Sequence, residues 1–591
     1  MSFRSLTQRG SGRGGRCRTM LRGGVSSRRR ACRTRLGPTT PGLSGDQHIL
    51  GVCGMGITPS STRRNRGAWY RTRAIRALIL AAGMSVGIAS VVPGASAQAG
   101  SQASSGKKYY LDCGAGNDSA TGTSAGTAWR TLARVNTVTF QPDDSILLRR
   151  GTTCNGVLQP QGSGTAGKPI RVSAYGSGAR PAIVGGGARA AVFLRNVQGW
   201  EIRNLDVSNP GAADGTPRTG IYVLLEDYGT GKHYVVEDVK VHDVPGCDCL
   251  QPELENSGGI LFKAAGSSTP TGFDEIRVSR NVVSGVDNIG IGTLSQWSRR
   301  TPLYPSGSNS FVPITNVHIF ANKLSDMGGD GILVQNGVDS LTEFNIVNGF
   351  GRRATASHAA ILAFNSDRPV IQHNEVTGGA AFPPSFAFSV DAANSDIVYQ
   401  YNYSHDNNGP FMLLCAFTGT NTDGATIRYN VSQNDKDLLL GTFQIPVIAN
   451  GCDVPVTDVK IYNNVVHSTS ATALVGTLHP TPMTVKNNIF VGRPEGSTIV
   501  DTVGVYDHNL YRNITSVQPG DTHAVTGDPL FTRPGASGTA GVLGFRLKCG
   551  SPAIGAGTVI PDNGGHDLYG FRVPGDAAPN IGAYQGPCAD R

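Results

Sequence analysis

A short motif recurs through the middle of the chain: a polar or aromatic residue, asparagine, an apolar residue, then a small or polar turn. It reads IRNLDVSN at Asn204, VSRNVVSG at Asn281, IFANKLSD at Asn322, EFNIVNG at Asn345 and QHNEVTG at Asn374. It continues as QYNYSHD at Asn402, RYNVSQN at Asn430, YNNVVHS at Asn464 and KNNIFVG at Asn488. From Asn322 onward the asparagines are 23, 29, 28, 28, 34 and 24 residues apart. Ahead of them, VVEDVKVHD fits the pattern with Asp238 in the asparagine's place. A unit this short cannot bury an apolar face alone and must stack on the next.

Between the motifs lies a second series of apolar runs: GIYVLL (220–225), GILFKA (259–264), GIGTL (290–294), GILVQN (331–336), AILAFN (360–365), FSVDA (388–392), FMLLC (411–415) and LLLGT (438–442). Runs of this length, bounded by Gly, Asn, Asp and Ser and lacking helical periodicity, are strands. Two or three strands per repeat predict one coil of a parallel β-helix, with coils stacked ~4.8 Å apart. Asparagines stacked at one corner form an amide ladder, which accounts for them without any functional role. The fold expected is all-β, a single-stranded right-handed parallel β-helix. Its expected divisions are an N-terminal cap and first coil over 98–155, the helix over 156–500, and a C-terminal capping segment over 501–591.

The formal charge of +10 suggests a nucleic-acid binder, but its distribution does not. Of 52 Lys and Arg and 42 Asp and Glu, 17 arginines and Asp46 fall within residues 1–97, which leaves 35 basic against 41 acidic residues. No nucleic-acid partner is expected of such a remainder. Arg71, Arg73 and Arg76 precede an apolar run, Ala77–Val92, and then Pro93-Gly94-Ala95-Ser96-Ala97. This is the pattern of an export signal cleaved after Ala97, too short for a stable membrane span. The Arg-rich stretch before it is either a disordered extension or lies upstream of a true start such as Met55. Eight cysteines remain after Ala97, an even number that suits disulfides in a secreted protein. The expected pairs are Cys113–Cys154, Cys415–Cys452 and Cys549–Cys588. Cys247-Asp248-Cys249 lacks a second such pair or a histidine cluster, so no zinc site is expected there.

The chain resembles the right-handed parallel β-helix superfamily of secreted, pectate-lyase-like proteins. It is most similar to actinobacterial members that open with sequences like YYLDCGAGNDSATGTSAGTAWRTLARVN and QPDDSILLRRGTT (109–153) and close with DHNLY, GDPLF, SPAIGAG and NIGAYQ (507–585). The resemblance implies a carbohydrate-active protein that acts on or binds a polysaccharide or oligosaccharide. It does not choose among hydrolase, lyase and passive adhesin, because one such fold hosts all of them. It also implies a short capping helix near Trp129 and Leu132, and a tail that covers the far end.

Aligning the second strand series on its inward residues sets Lys263, Gln335, Phe364, Asp391 and Cys415 in one outward column. A slip of one residue would turn Asp391 inward. Turn residues just ahead of these strands crown the same face: Asp330, His358, His405-Asp406 and Asp435-Lys436-Asp437. Glycoside hydrolysis needs a carboxylic acid and a carboxylate, about 5–5.5 Å apart for retention and about 6.5–9.5 Å for inversion. Asp391 and Asp406, one coil apart, suit the shorter spacing; Asp330 and Asp391 suit the longer. Asp391, Asp406 and Asp330 are therefore the candidate catalytic carboxylates, with His405 as orienter or proton shuttle. His358, Lys263, Gln335 and Lys436 are candidate substrate contacts. The competing reading for each acid is that Asp before a strand serves its turn.

Elimination on a uronate is the rival chemistry. Lys263, Lys436 or Arg352-Arg353 would supply the base, and the loop SQWSRRTPLYPSGSNS (295–310) would grip the substrate. There Trp297 and Tyr304 would stack on sugars while Arg299 and Arg300 hold acidic groups. The Arg-x-Pro-x-x-Arg signature of pectate lyases is absent from the sequence. The leading expectation is a glycoside hydrolase with no cofactor, with Ca²⁺ entering only for a lyase. A polysaccharide lyase and a non-catalytic carbohydrate-binding adhesin are the alternatives.

Overall fold

The computed structural model describes residues 106–212, 214–248, 257–477, 481–518 and 520–589. The Arg-rich leader and export signal expected over 1–97 lie outside the described residues. Among the described residues, no helix is long and apolar enough to cross a membrane. The chain winds as a right-handed parallel β-helix whose three faces are parallel sheets of 15, 14 and 12 strands. The first sheet runs from Lys108–Leu111 to Val505–Asp507, the second from Thr153–Asn155 to Val525–Thr526, and the third from Ala190–Arg195 to Ile514–Gln518. Coil pairing continues past residue 500, into the segment expected to hold the C-terminal coil and cap.

The asparagine ladder stands at the corner between the first and second sheets. It comprises Asn281, Asn322, Asn345, Asn374, Asn402, Asn430, Asn464, Asn488 and Asn509, all almost fully buried. Each Oδ1 accepts both the backbone N–H and the Nδ2–H of the preceding asparagine, at 2.9–3.0 Å throughout. The last, Asn509, donates both to Asp521 Oδ2. Register corrects two assignments. Lys240 pairs with Val282 and Asp206, so Val239 and Leu205 hold the ladder level, while Asp238 and Asn204 stand one residue earlier.

That earlier position is left-handed in every coil: Arg280, Ala321, Phe344, His373, Tyr401, Tyr429, Asn463, Asn487 and His508 have φ between 51° and 59°. None is β-branched, since such side chains clash most severely there. The next corner repeats the demand. Asp243, Gly285, Asp326, Gly349, Gly378, Asp406 and Asn434 stack in register, all with positive φ. Only Gly, Asp and Asn occupy this column, the residues that tolerate the left-handed region.

On the third sheet, period-two alternation breaks at one level. Ala360 and Ile361 both enter the core, as do Ala387 and Phe388, while Ala359, Leu362 and Phe386 belong to a separate outer cluster. Gly331 and Ile332 pair at the same level. A Cβ on Gly331 would stand 2.4 Å from the Ala360 carbonyl oxygen. The same break recurs along the sheet, at Ala191-Val192, Phe411-Met412, Val447-Ile448 and Leu474-Val475.

A short helix, Leu132–Asn136, is capped by the Thr131 hydroxyl and sends Leu132 and Val135 into the core beside Trp129. The tail expected to cover the far end runs back along the solenoid. Phe531, Phe545, Leu547, Ile581 and Tyr584 pack along the outer flank of the second sheet on Tyr403, Val431, Val465, Ile489 and Leu510. An outward apolar row of that size needs a cover. The three expected disulfides, Cys113–Cys154, Cys415–Cys452 and Cys549–Cys588, are present, and Cys247 is disulfide-bonded as well.

The ladder yields a stability prediction. Asn402→Ala would strand the Asn374 donors and the Ile371 carbonyl in a site with no solvent access. It should cost about 3 kcal/mol, seen as a lower guanidinium unfolding midpoint. Asp406→Gly, at φ 53° and half-exposed, should be near neutral in the same assay.

Candidate active site

The outer side of the third sheet carries a pocket of about 470 Å³. Leu333, Leu362, Phe386 and Leu413 form its floor, and Tyr304, Phe364 and Phe417 an aromatic wall. Tyr304 meets Phe364 edge-on at 5.3 Å, and Phe364 stacks on Phe417 at 6.2 Å. Such faces suit the C–H sides of sugar rings. The polar lining includes Asn288, Asp330, Gln335, Ser357, His358, Ser389, Asp391, Thr418 and Asp453.

The strands position Asp391. Gln335 pairs with Phe364, Ala363 with Val390 and Val390 with Leu414, so the outward column Gln335, Phe364, Asp391, Cys415 stands as the alternation implies. Asp391 ends its strand with Oδ1 accepting the Ala392 N–H at 2.7 Å. Dense packing surrounds the carboxyl although part of the residue stays accessible at the pocket wall. Burial pushes its pKa up, the nearby Asp330 charge adds to this, and the Ala392 N–H opposes it; the result is about 6. Two residues earlier, the Ser389 hydroxyl faces the same pocket, is buried, and has no hydrogen-bond partner.

Asp330 is held differently. Its Oδ1 accepts the Ala359 N–H at 2.8 Å and stands 3.1 Å from His358 Nδ1. The other ring nitrogen of His358 is 2.9 Å from Asp248 Oδ1, whose second oxygen accepts the N–H and hydroxyl of Thr355. Burial would lower the His358 pKa, but the Asp330 charge and the hydrogen bonds to both carboxylates override it and raise it to about 10. Burial likewise works against ionisation of Asp248, yet the His358 contacts bring it down to about 2. His358 is thus an imidazolium clamped between two carboxylates, and Asp330 is fixed at the pocket edge.

The other candidates are placed elsewhere. His405 and Asp406 lie on the second sheet, away from the pocket: Asp406 fills the left-handed corner column, and His405 pairs with Asp406 at 3.0 Å and Glu375 at 3.3 Å. Asp391 and Asp406 are therefore not brought together. Lys263 shares the Gln335 column two coils earlier but is buried and does not line the pocket. Gln335 lines it with its amide spent on the Ser295 backbone. Trp297 is a core residue, donating Nε1–H to the Ala265 carbonyl, so it offers no sugar platform. Arg299 is exposed outside the pocket. Arg300 anchors its loop, pairing with Asp367 and donating to Asn365 Oδ1 at 2.8 Å. Of the loop's four candidates only Tyr304 reaches the pocket. Lys436 is exposed and bonded to Asn408, while Asp435 beside it is buried against Asn407 and Ser432 rather than forming a surface ion pair. Among the described residues, no pocket side chains form a group of three or more His, Cys, Asp or Glu with converging ligand atoms.

Comparison with known proteins fits this architecture. Residues 303–513 match the family described as right handed beta helix region. Crystal structures of a GH136 lacto-N-biosidase from Eubacterium ramulus, as selenomethionine derivative and native protein, superpose with TM-scores of 0.54 and 0.53. They are 21% and 20% identical, covering 71% of this chain and 67% and 68% of theirs. These likenesses show the right-handed parallel β-helix fold. A lacto-N-biosidase of Bifidobacterium longum subsp. longum is 25% identical over 641 aligned positions, covering 86% of this chain. The β-helix chain spans 39% of the length of that curated relative.

Four residues of this β-helix site escaped sequence reasoning. Ser389 and Phe417 sit in apolar surroundings that hide any polar or stacking role. Asp453 reaches the pocket because the Cys415–Cys452 disulfide and the Asp453 N–H bond to Ala416 fold its turn back. Asp248 lies 110 residues before its partner His358. The adjacent half-cystine, Cys247, was the available signal.

The clamp predicts an unusual titration. The folded His358 value lies above the ordinary imidazole value of about 6.5. Its stabilisation is therefore complete below that pH and fades as pH climbs through about 10. The His358 ring should not titrate by NMR between pH 5 and about 8. His358→Gln should lower the unfolding midpoint at pH 7 and flatten its decline above pH 8.

Proposed function

We propose that the protein is a glycoside hydrolase that cleaves a neutral oligosaccharide in this pocket, with Asp391 as general acid and Asp330 as the partner carboxylate. The observation that carries the reading is Asp391 itself: a pocket carboxyl raised to about 6, facing a second, fixed carboxylate. A glycosidase needs that contrast, one carboxyl protonated to assist the leaving oxygen and one ionised. The His358 imidazolium, 3.1 Å away, holds the Asp330 carboxyl in place at the pocket edge. The aromatic wall offers stacking for sugar rings, and the unpaired Ser389 hydroxyl a hydrogen bond for a sugar hydroxyl. The lacto-N-biosidases among its relatives support a glycosidase and suggest a lacto-N-bioside as the first substrate to try.

The uronate-eliminating alternative has less support. Arg300 is spent on Asp367 and Asn365, and Lys263 is buried off the pocket, so neither stands ready as base or carboxylate grip. Export from the cell and an extracellular site of action remain part of this proposal, consistent with the disulfides.

The test is incubation of the chain with chromogenic and natural lacto-N-biosides, other neutral oligosaccharides and uronate polymers. Reducing sugar without unsaturated uronate is expected. Asp391→Asn and Asp330→Asn should each lose about 10²- to 10⁴-fold in kcat/KM on natural substrates, while Asp406→Asn keeps full activity. In the wild type, kcat/KM should fall as pH rises through about 6, because Asp391 then loses the proton it must donate. Unsaturated product, or full activity in both pocket variants, would refute the assignment.

A further inference from the structure

At the far end of the solenoid, well outside the pocket, three side chains from two chain segments converge. Asp507 closes the last strand of the first sheet and His508 follows it at the left-handed corner, φ 57°. His523 comes from the turn that follows Asp521. His508 Nδ1 stands 2.9 Å and His523 Nδ1 2.7 Å from the same oxygen, Asp507 Oδ1. All three ligand atoms lie within 4.8 Å of one another. The imidazoles stack at 4.4 Å, so both rings present the same edge to one point. Asp521 orients the second histidine: its Oδ1 accepts the His523 N–H at 3.0 Å while its Oδ2 ends the asparagine ladder. Thr522 donates its hydroxyl to Asp507 Oδ1 at 3.1 Å, and Lys486 Nζ lies 3.4 Å from the other oxygen, Oδ2.

We propose that Asp507, His508 and His523 bind a borderline divalent transition-metal ion, with Zn²⁺ as the probe, and that the ion ties the last coil to the turn that ends its ladder. Two imidazoles and one carboxylate are the donor set such ions select, whereas Ca²⁺ and Mg²⁺ prefer oxygen alone. Tetrahedral ligands on an ion with bonds of about 2.1 Å stand about 3.4 Å apart, so the 2.9 and 2.7 Å between Asp507 Oδ1 and the two Nδ1 atoms must open slightly to admit it. Water fills the remaining positions, because His523 is largely exposed. Lys486 contacts the carboxylate through Oδ2, so on Oδ1 the ion would displace only the Thr522 hydroxyl and the two imidazole hydrogen bonds. The role is structural: the ion holds the turn at 521–523, and through Asp521 the end of the ladder.

The test is titration of the chelator-stripped full chain with ZnCl₂ by calorimetry at pH 7.5. One equivalent should bind at micromolar or tighter Kd, with a rise in Tm of about 1–3 °C. His523→Ala, an exposed change that leaves the fold intact, and His508→Ala should each weaken binding at least tenfold. Binding should vanish at pH 5, where imidazoles are protonated. Co²⁺ should give a visible ligand-field spectrum that His523→Ala abolishes. Absence of one-equivalent uptake, or uptake untouched by both substitutions, would overturn the site and leave a hydrogen-bonded histidine pair.

Discussion

Everything in this molecule hangs on one repeated arrangement: an asparagine oxygen that accepts both the backbone N–H and the side-chain amide of the coil before it. Those donors are buried, and a buried amide left unpaired costs on the order of 1–3 kcal/mol. Slipping a coil by one residue would break both bonds at that level and turn an apolar row outward. The ladder therefore fixes register at the first corner of each coil, and register carries to the third sheet. The column that holds Gln335, Phe364 and Asp391 is a consequence, though no ladder residue touches the pocket.

The pocket is built on the outer side of the third sheet. Leu333, Leu362, Phe386 and Leu413 cluster there apart from the core, and Asp330 and Asp391 both border the hollow above them. Charge then does what shape alone cannot. One carboxyl, crowded by protein, holds its proton to about pH 6, and the other is pinned by an imidazolium. Two chemically identical groups are thus held in different surroundings.

The sequence made the fold legible because stacking imposes a period, and a period can be read without any contact being known. It also placed Asp391, whose column follows from strand alternation. It misplaced Asp406 for a reason equally physical. From Asp243 to Asn434 the corner after the second-sheet strand is left-handed, and only Gly, Asp or Asn sits there easily, so an acid at that place reports a turn. Asp248, Asp453 and Ser389 were illegible for a different reason. Asp248 reaches His358 from a distant segment, while Asp453 and Ser389 line the pocket through a disulfide-braced turn and a buried hydroxyl, and none of these leaves a periodic trace. Trp297 and Arg300 misled because loop residues that look ready to grip a ligand were recruited to hold their own loop down.

The ladder also has a direction. Every amide in it points its oxygen toward the beginning of the chain and one Nδ2–H toward the end, the other Nδ2–H bonding a carbonyl of the coil before, so the nine side chains share one orientation. Such a column resembles a helix axis, with partial positive charge gathering where the last donors emerge. The residue waiting there is a carboxylate, Asp521, while the opposite terminus meets only the plain backbone N–H of Val239. An aspartate anywhere else in the column would accept from its predecessor and offer nothing to its successor. The solenoid is thus electrically polarised along its length, and its sequence permits an acid at one end alone.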